Sequence, residues 1–217
     1  TPLTSLMVMV DLLKDEKNID KQKEFISIIE IQISKIKWLV ENLLKLSKLD
    51  AGTIKFKKEK IDVLSVITKS ISPFLVQMEM KNISLETTIN DFSFTGDLNW
   101  TSEAVENIIK NCIEHTADNG KLNIETGVTN IYSYIKITDN GCGIKKKDLP
   151  HIFERFYQGE NSSKESVGIG LALAKTIVEN QGGTIDVTSE ENVGTEFIIK
   201  FNKMVVWRIC NIKVTLM

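Results

Sequence analysis

Three short stretches of this chain have residue types and spacings suited to chemistry. They are Asn107-Ile-Ile-Lys-Asn111, then Asp139-Asn-Gly141-Cys-Gly143-Ile144, then Gly168-Ile-Gly170-Leu171-Ala-Leu173. On a helix, side chains four residues apart share a face. One amide oxygen of such a pair can enter the octahedral shell of a Mg²⁺ that otherwise keeps water and phosphate oxygens. A lone carboxylate followed by alternating glycines can accept from an adenine amino group while the backbone comes close to the purine. A glycine-rich run leading into an apolar helix offers unpaired N–H groups and a positive helix end to phosphates. Taken singly, each has a plainer reading: a loop before a helix for Gly168 and Gly170, a turn for Asp139-Asn-Gly, an exposed helix face for Asn107 and Asn111. Their order, and the element expected beside each, combine them into one nucleotide pocket.

Those elements follow from periodicity. From about residue 51 the pattern predicts a charged, strand-like entry at Lys55 to Lys60, a helix over 62–80, strands over 83–89 and 92–96, and a helix over 98–116 begun by Asp97. Strands over 121–128 and 131–138 follow, joined at Thr129-Asn130. A short helix over 146–157, a variable loop, a helix over 169–181 and strands over 184–189 and 195–201 complete the series. Interleaved strands and helices with short turns imply an α/β sandwich, a mixed sheet covered by helices on one face.

Residues 1–50 have a different pattern. Leu3, Leu6, Val10 and Leu13, and again Ile26, Ile29, Ile33, Ile36, Val40 and Leu43, recur at alternating spacings of 3 and 4. This is a heptad seam on two antiparallel helices, with a polar turn at Asp15 to Asp20, Asp20 as cap of the second helix, and an end at Asp50-Ala-Gly52. A lone hairpin would leave the stripe in water. Pairing two hairpins into a four-helix bundle buries it, as docking on the rest of the chain also would. The fold class is therefore α+β: a hairpin over 1–50, a sandwich over 51–203, and an apolar tail over 204–217 with no assigned role.

Composition narrows the function further. The chain has 217 residues, 42% hydrophobic and 26% charged, with net charge −2, so no basic field favours nucleic acid. Cys112, Cys142 and Cys210 are odd in number and far apart, which suits unpaired thiols in a reducing compartment. His115 and His151 are the two histidines, too few for a histidine-built metal site. There is no run of eighteen apolar residues, so the chain is expected not to be membrane-embedded. Beginning at Thr-Pro without a signal peptide, it reads as a fragment of a longer protein.

At this level of detail the residues resemble a sensor histidine kinase of a two-component system, over residues 1 to about 203. Thr1-Pro-Leu-Thr is similar to the end of the family's H box, and Asn107-x-x-x-Asn111 to its N box. Asp139-Asn-Gly-Cys-Gly-Ile and Gly168-Ile-Gly-Leu-Ala-Leu are similar to its two glycine boxes, Phe153-Glu-Arg-Phe156-Tyr157 to its F box, and Gly194-Thr195 to its last turn. The resemblance implies a dimerisation and histidine phosphotransfer hairpin followed by a catalytic ATP-binding domain of the GHKL superfamily, with ATP and Mg²⁺ as cofactors. It implies Asn111 as the Mg²⁺ ligand and Asn107 near the phosphates. It further implies Asp139 as acceptor from the adenine amine, Gly141 and Gly143 as that wall, and Tyr157 as the ring beside the base. Phe156 would anchor the root of a lid over 158–167, in which Lys164 could reach a phosphate. Gly168, Gly170 and Leu171 would form the phosphate-side loop, and Thr195 would lie below the purine. Plainer readings stand beside these: core packing for Phe153 and Phe156, surface for Tyr157, solvent for Lys164, an exposed helix position for His115, a loop for His151.

By the same resemblance the phosphoacceptor histidine precedes Thr1, so the residues given are expected to bind ATP but not to autophosphorylate. Thr1 would face a response-regulator receiver domain and orient water in a phosphatase reaction, or simply open a helix ahead of Pro2. The hairpin would form a homodimer, and the full-length protein would be anchored in the cell membrane with this part in the cytoplasm. Glu114 and Gln158 replace cations common in the family, so affinity should be modest unless Lys110 or Lys164 compensates. Two alternatives compete. A related GHKL ATPase would place a glutamate where Asn107 stands, and an amide cannot act as general base. A non-catalytic nucleotide-binding scaffold is disfavoured by the intact glycine runs and the paired asparagines.

Overall fold

The computed structural model describes residues 2–159 and 167–202. Thr1, Lys164, most of the expected lid and the 204–217 tail lie outside the described residues. The chain divides into two compact units, Thr1–Lys55 and Phe56–Met217.

The first unit is a helical hairpin, α1 (Pro2–Asp15) and α2 (Ile19–Asp50). Asn18, not Asp20, caps α2: its side-chain oxygen accepts from the N–H groups of Asp20 at 2.9 Å and Lys21 at 3.2 Å. Asp20 lies inside the first turn, where its charge favours the positive helix end. At the far end Gly52 takes φ +61°, and Gly52 and Thr53 donate back to the carbonyls of Leu49 and Lys48. The packing of α1 on α2 leaves Leu3, Met7, Ile26, Ile33, Val40 and Leu43 exposed, and α1 buries no residue. An exposed apolar row of this length stands out against the rest of the hairpin.

The second unit opens with β1 (Glu59–Asp62), and Asp62 caps α3 (Val63–Ile71) by accepting from Leu64 and Ser65. The helix expected over 62–80 is interrupted. Pro73, lacking an N–H, turns Ser72–Phe74 into a 3₁₀ turn before α4 (Leu75–Met80). Then come β2 (Ser84–Ile89), β3 (Ser93–Gly96), α5 (Leu98–His115), β4 (Lys121–Val128), β5 (Tyr132–Asp139), α6 (Gly170–Asn180), β6 (Gly183–Glu190) and β7 (Gly194–Asn202). No helix forms over 146–157, where the chain makes successive turns. Pro150 falls in the middle of that stretch and Phe156 has φ +65°, both incompatible with a continuous helix.

The main sheet has five strands in the order β2-β4-β5-β7-β6, mixed because β2 runs parallel to β4 while the other neighbours are antiparallel. Strands β1 and β3 pair separately. Alternation along β5 buries Ser133, Ile135, Ile137 and Asp139 and leaves Tyr132, Tyr134, Lys136 and Thr138 half-buried. Against the inner face pack α5 and α6, with α3 against α5. Ile108, Ile109, Ile113, Leu173 and Ile177 from the helices meet Leu122, Ile124, Ile135, Ile137, Phe197 and Ile199 from the sheet in a fully buried layer. Each such side chain contributes about 1.5–3 kcal/mol of burial. That layer holds α5 and the end of β5 in fixed relation, which the site requires.

Candidate nucleotide-binding site

Asp97 begins α5 by accepting from Asn99 and Trp100 at 3.0 and 3.2 Å. From that start, Asn107, Asn111 and His115 fall four residues apart on one face. The two glycine runs approach this stripe at its two ends. A Cβ on Gly170 would lie 2.9 Å from Asn107 Oδ1, and a Cβ on Gly141 would lie 2.3 Å from the carbonyl oxygen of His115. Residues 107 and 115 are about 12 Å apart along a helix axis, and Asn111, half-buried, is midway between them. The Asn107 amide nitrogen donates to the Glu103 carbonyl at 2.8 Å, which turns its oxygen toward Gly170.

Asp139 ends β5 and is 5% exposed. Its carboxylate accepts from the Gly141 N–H at 2.9 Å, and the Thr195 N–H and the Cys112 thiol beside it also favour its charged form. Burial holds its carboxyl above the usual carboxylate range, while those hydrogen bonds pull the other way by favouring the charged form. The same burial, together with the neighbouring Asp139 charge, pushes the Cys112 thiol well up.

Gly143, at φ +66°, passes so close to the β6 to β7 turn that a Cβ would meet the Glu190 carbonyl oxygen at 2.0 Å. Gly194 packs equally tightly on the backbone of Asp139, where a Cβ would fall 2.0 Å from its carbonyl oxygen. Thr195 is buried and lies opposite Asp139 in the β5 to β7 register.

On the other side, Gly168 takes φ +72°, and its Cβ would meet the Tyr157 carbonyl at 2.2 Å. The Phe156 N–H donates to the Gly168 carbonyl at 2.8 Å. The two ends of the stretch between them are thus pinned together by backbone, while the Phe156 ring is 56% exposed. Helix α6 begins at Gly170 with no side-chain cap, leaving first-turn N–H groups for another acceptor. Leu171 is half-buried in that turn and Ile169 is fully buried. Tyr157 donates its hydroxyl to Asp148 at 2.7 Å, and its ring is 5.4 Å from that of His151. Lys110 is 3.8 Å from Glu114. Among the described residues no three His, Cys, Asp or Glu side chains gather to hold a metal ion. Asn107 and Asn111 carry amide oxygens, hard donors of the kind Mg²⁺ accepts.

Three residues of this region carry no signal in the sequence. Cys112 reaches Asp139 only because α5 lies on β5. Asp148, 7% exposed, holds Tyr157 across a string of turns. Ser189, on β6, accepts from the Ile144 N–H at 2.8 Å and donates to the Gly194 carbonyl at 2.8 Å.

Comparison with known proteins places this geometry. Residues 1–52 match the model of the His Kinase A (phospho-acceptor) domain, and residues 96–204 that of the Histidine kinase-, DNA gyrase B-, and HSP90-like ATPase. Over 204 residues the chain is 31% identical to the Heme sensor protein HssS of Staphylococcus saprophyticus, covering 94% of this chain and 44% of that protein. It thus spans less than half the length of this curated relative. In fold it is similar to the Acinetobacter baumannii histidine kinase AdeS, with TM-score 0.75, 24% identity, and coverage of 93% of this chain and 95% of that one. It is also similar to histidine kinase ThkA, solved in complex with response regulator protein TrrA, with TM-score 0.76, 22% identity, and coverage of 94% of this chain and 58% of that one. Among the described residues no helix is long and apolar enough to cross a membrane. A phosphoacceptor-type hairpin followed directly by an ATPase fold of this kind is the arrangement of one family, and the chain belongs to it: the sensor histidine kinases of two-component systems, within the GHKL superfamily.

Proposed function

We propose that this chain is the kinase core of a sensor histidine kinase, binding Mg²⁺-ATP in its second unit and passing the γ-phosphate to a histidine of the dimerisation helices. From there the phosphoryl group goes to an aspartate of a response-regulator receiver domain. The observation that carries the reading is the approach of both glycine runs to one stripe of α5, Gly170 at Asn107 and Gly141 at His115, with Asn111 between.

The residues present suit this ligand. The buried carboxylate of Asp139 would accept from the adenine amine, with Gly141, Gly143 and Thr195 around it and the Tyr157 ring beside the base. The uncapped start of α6 with Gly168, Gly170 and Leu171 would receive the phosphates. Asn111, supported by Asn107, would hold Mg²⁺ through its amide oxygen, and the bound ion would supply neutralisation of phosphate charge. What the protein itself supplies is position: the core fixes α5 against β5, and the backbone pins at Gly168 and Gly143 hold the loops. Asn107 offers no general base, which supports transfer to a protein over hydrolysis. Thr1 and Lys164, outside the described residues, belong to the same proposal as groups facing the regulator and the terminal phosphate.

The exposed row Leu3, Met7, Ile26, Ile33, Val40 and Leu43 supports homodimerisation through the hairpin, and the full-length protein would be membrane-anchored. The test is to mix this chain with labelled Mg²⁺-ATP, a separate histidine-bearing dimerisation domain and a receiver domain. Label on histidine, then on the receiver aspartate, is the expected result. Steady phosphate release without labelled protein would favour the hydrolase, and no nucleotide uptake by calorimetry would refute both.

A further inference from the structure

Asp139, Thr195 and Ser189 form a row across three adjacent strands. Asp139 of β5 is opposite Thr195 of β7, and Thr195 is opposite Ser189 of β6. The Ser189 hydroxyl donates to the Gly194 carbonyl at 2.8 Å and accepts from the Ile144 N–H at 2.8 Å. It is also 2.9 Å from Thr195 Oγ1. A serine hydroxyl has one proton and two lone pairs. Its proton is committed to Gly194 and one lone pair to Ile144, so the bond to Thr195 has a single consistent direction: Thr195 donates and Ser189 accepts. Thr195 is left with its lone pairs alone for anything else in the pocket. The neighbouring Asp139 carboxylate accepts from the Gly141 N–H and, when ionised, has no proton to offer. The Asp139 and Thr195 side chains thus present acceptors alone at this end of the pocket.

We propose that Ser189 is a positioning residue for base selection: by taking the Thr195 hydroxyl proton it makes the Asp139 and Thr195 end accept only, so the site takes a 6-aminopurine nucleotide and rejects a 6-oxopurine. This deepens, and rests on, the reading of the pocket as a nucleotide site. A 6-amino group brings two N–H donors to these acceptors. A 6-oxo group brings a third acceptor, and its approach leaves buried lone pairs facing one another. With Ser189 replaced by alanine, the Thr195 hydroxyl is free to rotate and donate to the 6-oxo group.

The test measures the dissociation constants of ATP and ITP, both with Mg²⁺, by calorimetry on the chain and its variants. In Ser189→Ala the ITP to ATP ratio falls about five- to tenfold, the worth of one directed hydrogen bond. Ser189→Thr, which keeps the hydroxyl, restores it. Thr195→Val lowers the ratio by itself, and adding Ser189→Ala to it changes nothing more, because the two act through one proton. A Ser189 that only braces the turn would weaken both nucleotides in parallel and leave the ratio unchanged, which overturns the proposal. Should Ser189→Ala not fold, a wild-type ratio in Thr195→Val overturns it equally. A wild-type chain that binds neither nucleotide fails the underlying reading, whereas one that prefers ATP with a ratio indifferent to these substitutions fails this inference alone.

Discussion

Gly170→Ala separates the pocket from the fold. The added methyl would lie 2.9 Å from Asn107 Oδ1, with the next nearest atoms, also of the Asn107 side chain, at 3.7 Å and 3.9 Å. The collision is with the end of a side chain, so Asn107 can swing aside while the backbone of α5 and α6 stays. Moving it costs the 2.8 Å bond to the Glu103 carbonyl, about 1 kcal/mol, and a strained rotamer adds about 0.5–1.5 kcal/mol. Against this, alanine in place of glycine at the start of α6 stabilises by up to about 1 kcal/mol. The net change in folding stability is within about 1.5 kcal/mol, a melting shift of a few degrees for a domain of this size. Nucleotide binding is affected more strongly. In the proposed binding mode the methyl would stand on the side of the loop that phosphate approaches, and the displaced amide would no longer support Asn111. Losing one charge-assisted hydrogen bond costs about 1.5–3 kcal/mol, roughly a 10- to 100-fold weaker Kd for Mg²⁺-ATP. Calorimetric titration paired with thermal unfolding of the nucleotide-free protein reads both quantities. Wild-type affinity in Gly170→Ala, or an affinity loss that appears only alongside a large drop in Tm, would refute the reasoning.

Other perturbations probe other links. Gly143→Ala meets backbone, the Glu190 carbonyl at 2.0 Å with φ at +66°, so it should lower stability by several kcal/mol, of order 3 or more; denaturant midpoints compare it directly with Gly170→Ala. Burial raises the folded pKa of Asp139. Between the unfolded Asp value, about 3.9, and that raised value, the folded state holds a proton the unfolded chain has released. Folding stability contributed by this group therefore falls as pH rises through the window, while ATP affinity rises as the acceptor becomes ionised. In Asp139→Asn both dependences should flatten, with ATP binding weak at every pH; an unaltered pH profile would count against the assignment. Tyr157→Phe removes the donor to buried Asp148, costing about 1–3 kcal/mol, measurable as a lower Tm. Ile33 and Val40 are 53% and 50% exposed on the hairpin; if this face is the dimer seam, Ile33→Asp with Val40→Asp should shift the chain to monomer in light scattering without loss of helical circular dichroism.

Helix α5 was legible from its residues because burial imprints a period. Ala104, Val105, Ile108, Ile109, Cys112 and Ile113 fall on one stripe, Asp97 stands at the capping position, and the asparagines lie on the stripe beside it. Strands β4 to β7 were legible for the same reason at period two. The heptad seam likewise announced a hairpin with an apolar face to cover. Where local rules competed, the chemistry of single residues decided: Pro73 cut one expected helix into two, Pro150 prevented another, and Asn18, with an oxygen placed to reach two N–H groups, displaced Asp20 as cap.

The sequence by itself determined the two-unit organisation, the faces of the helices and strands, and the order of the nucleotide motifs, since each is a property of neighbouring residues. Only the tertiary structure decided that β3 pairs with β1, that the Cys112 thiol lies beside Asp139, that Asp148 holds Tyr157, and that the Ser189 and Thr195 hydroxyls lie 2.9 Å apart. Those contacts join segments far apart in the chain, and they depend on strand register and on what the core places opposite. Periodicity says which way a side chain faces and carries no information about its partner.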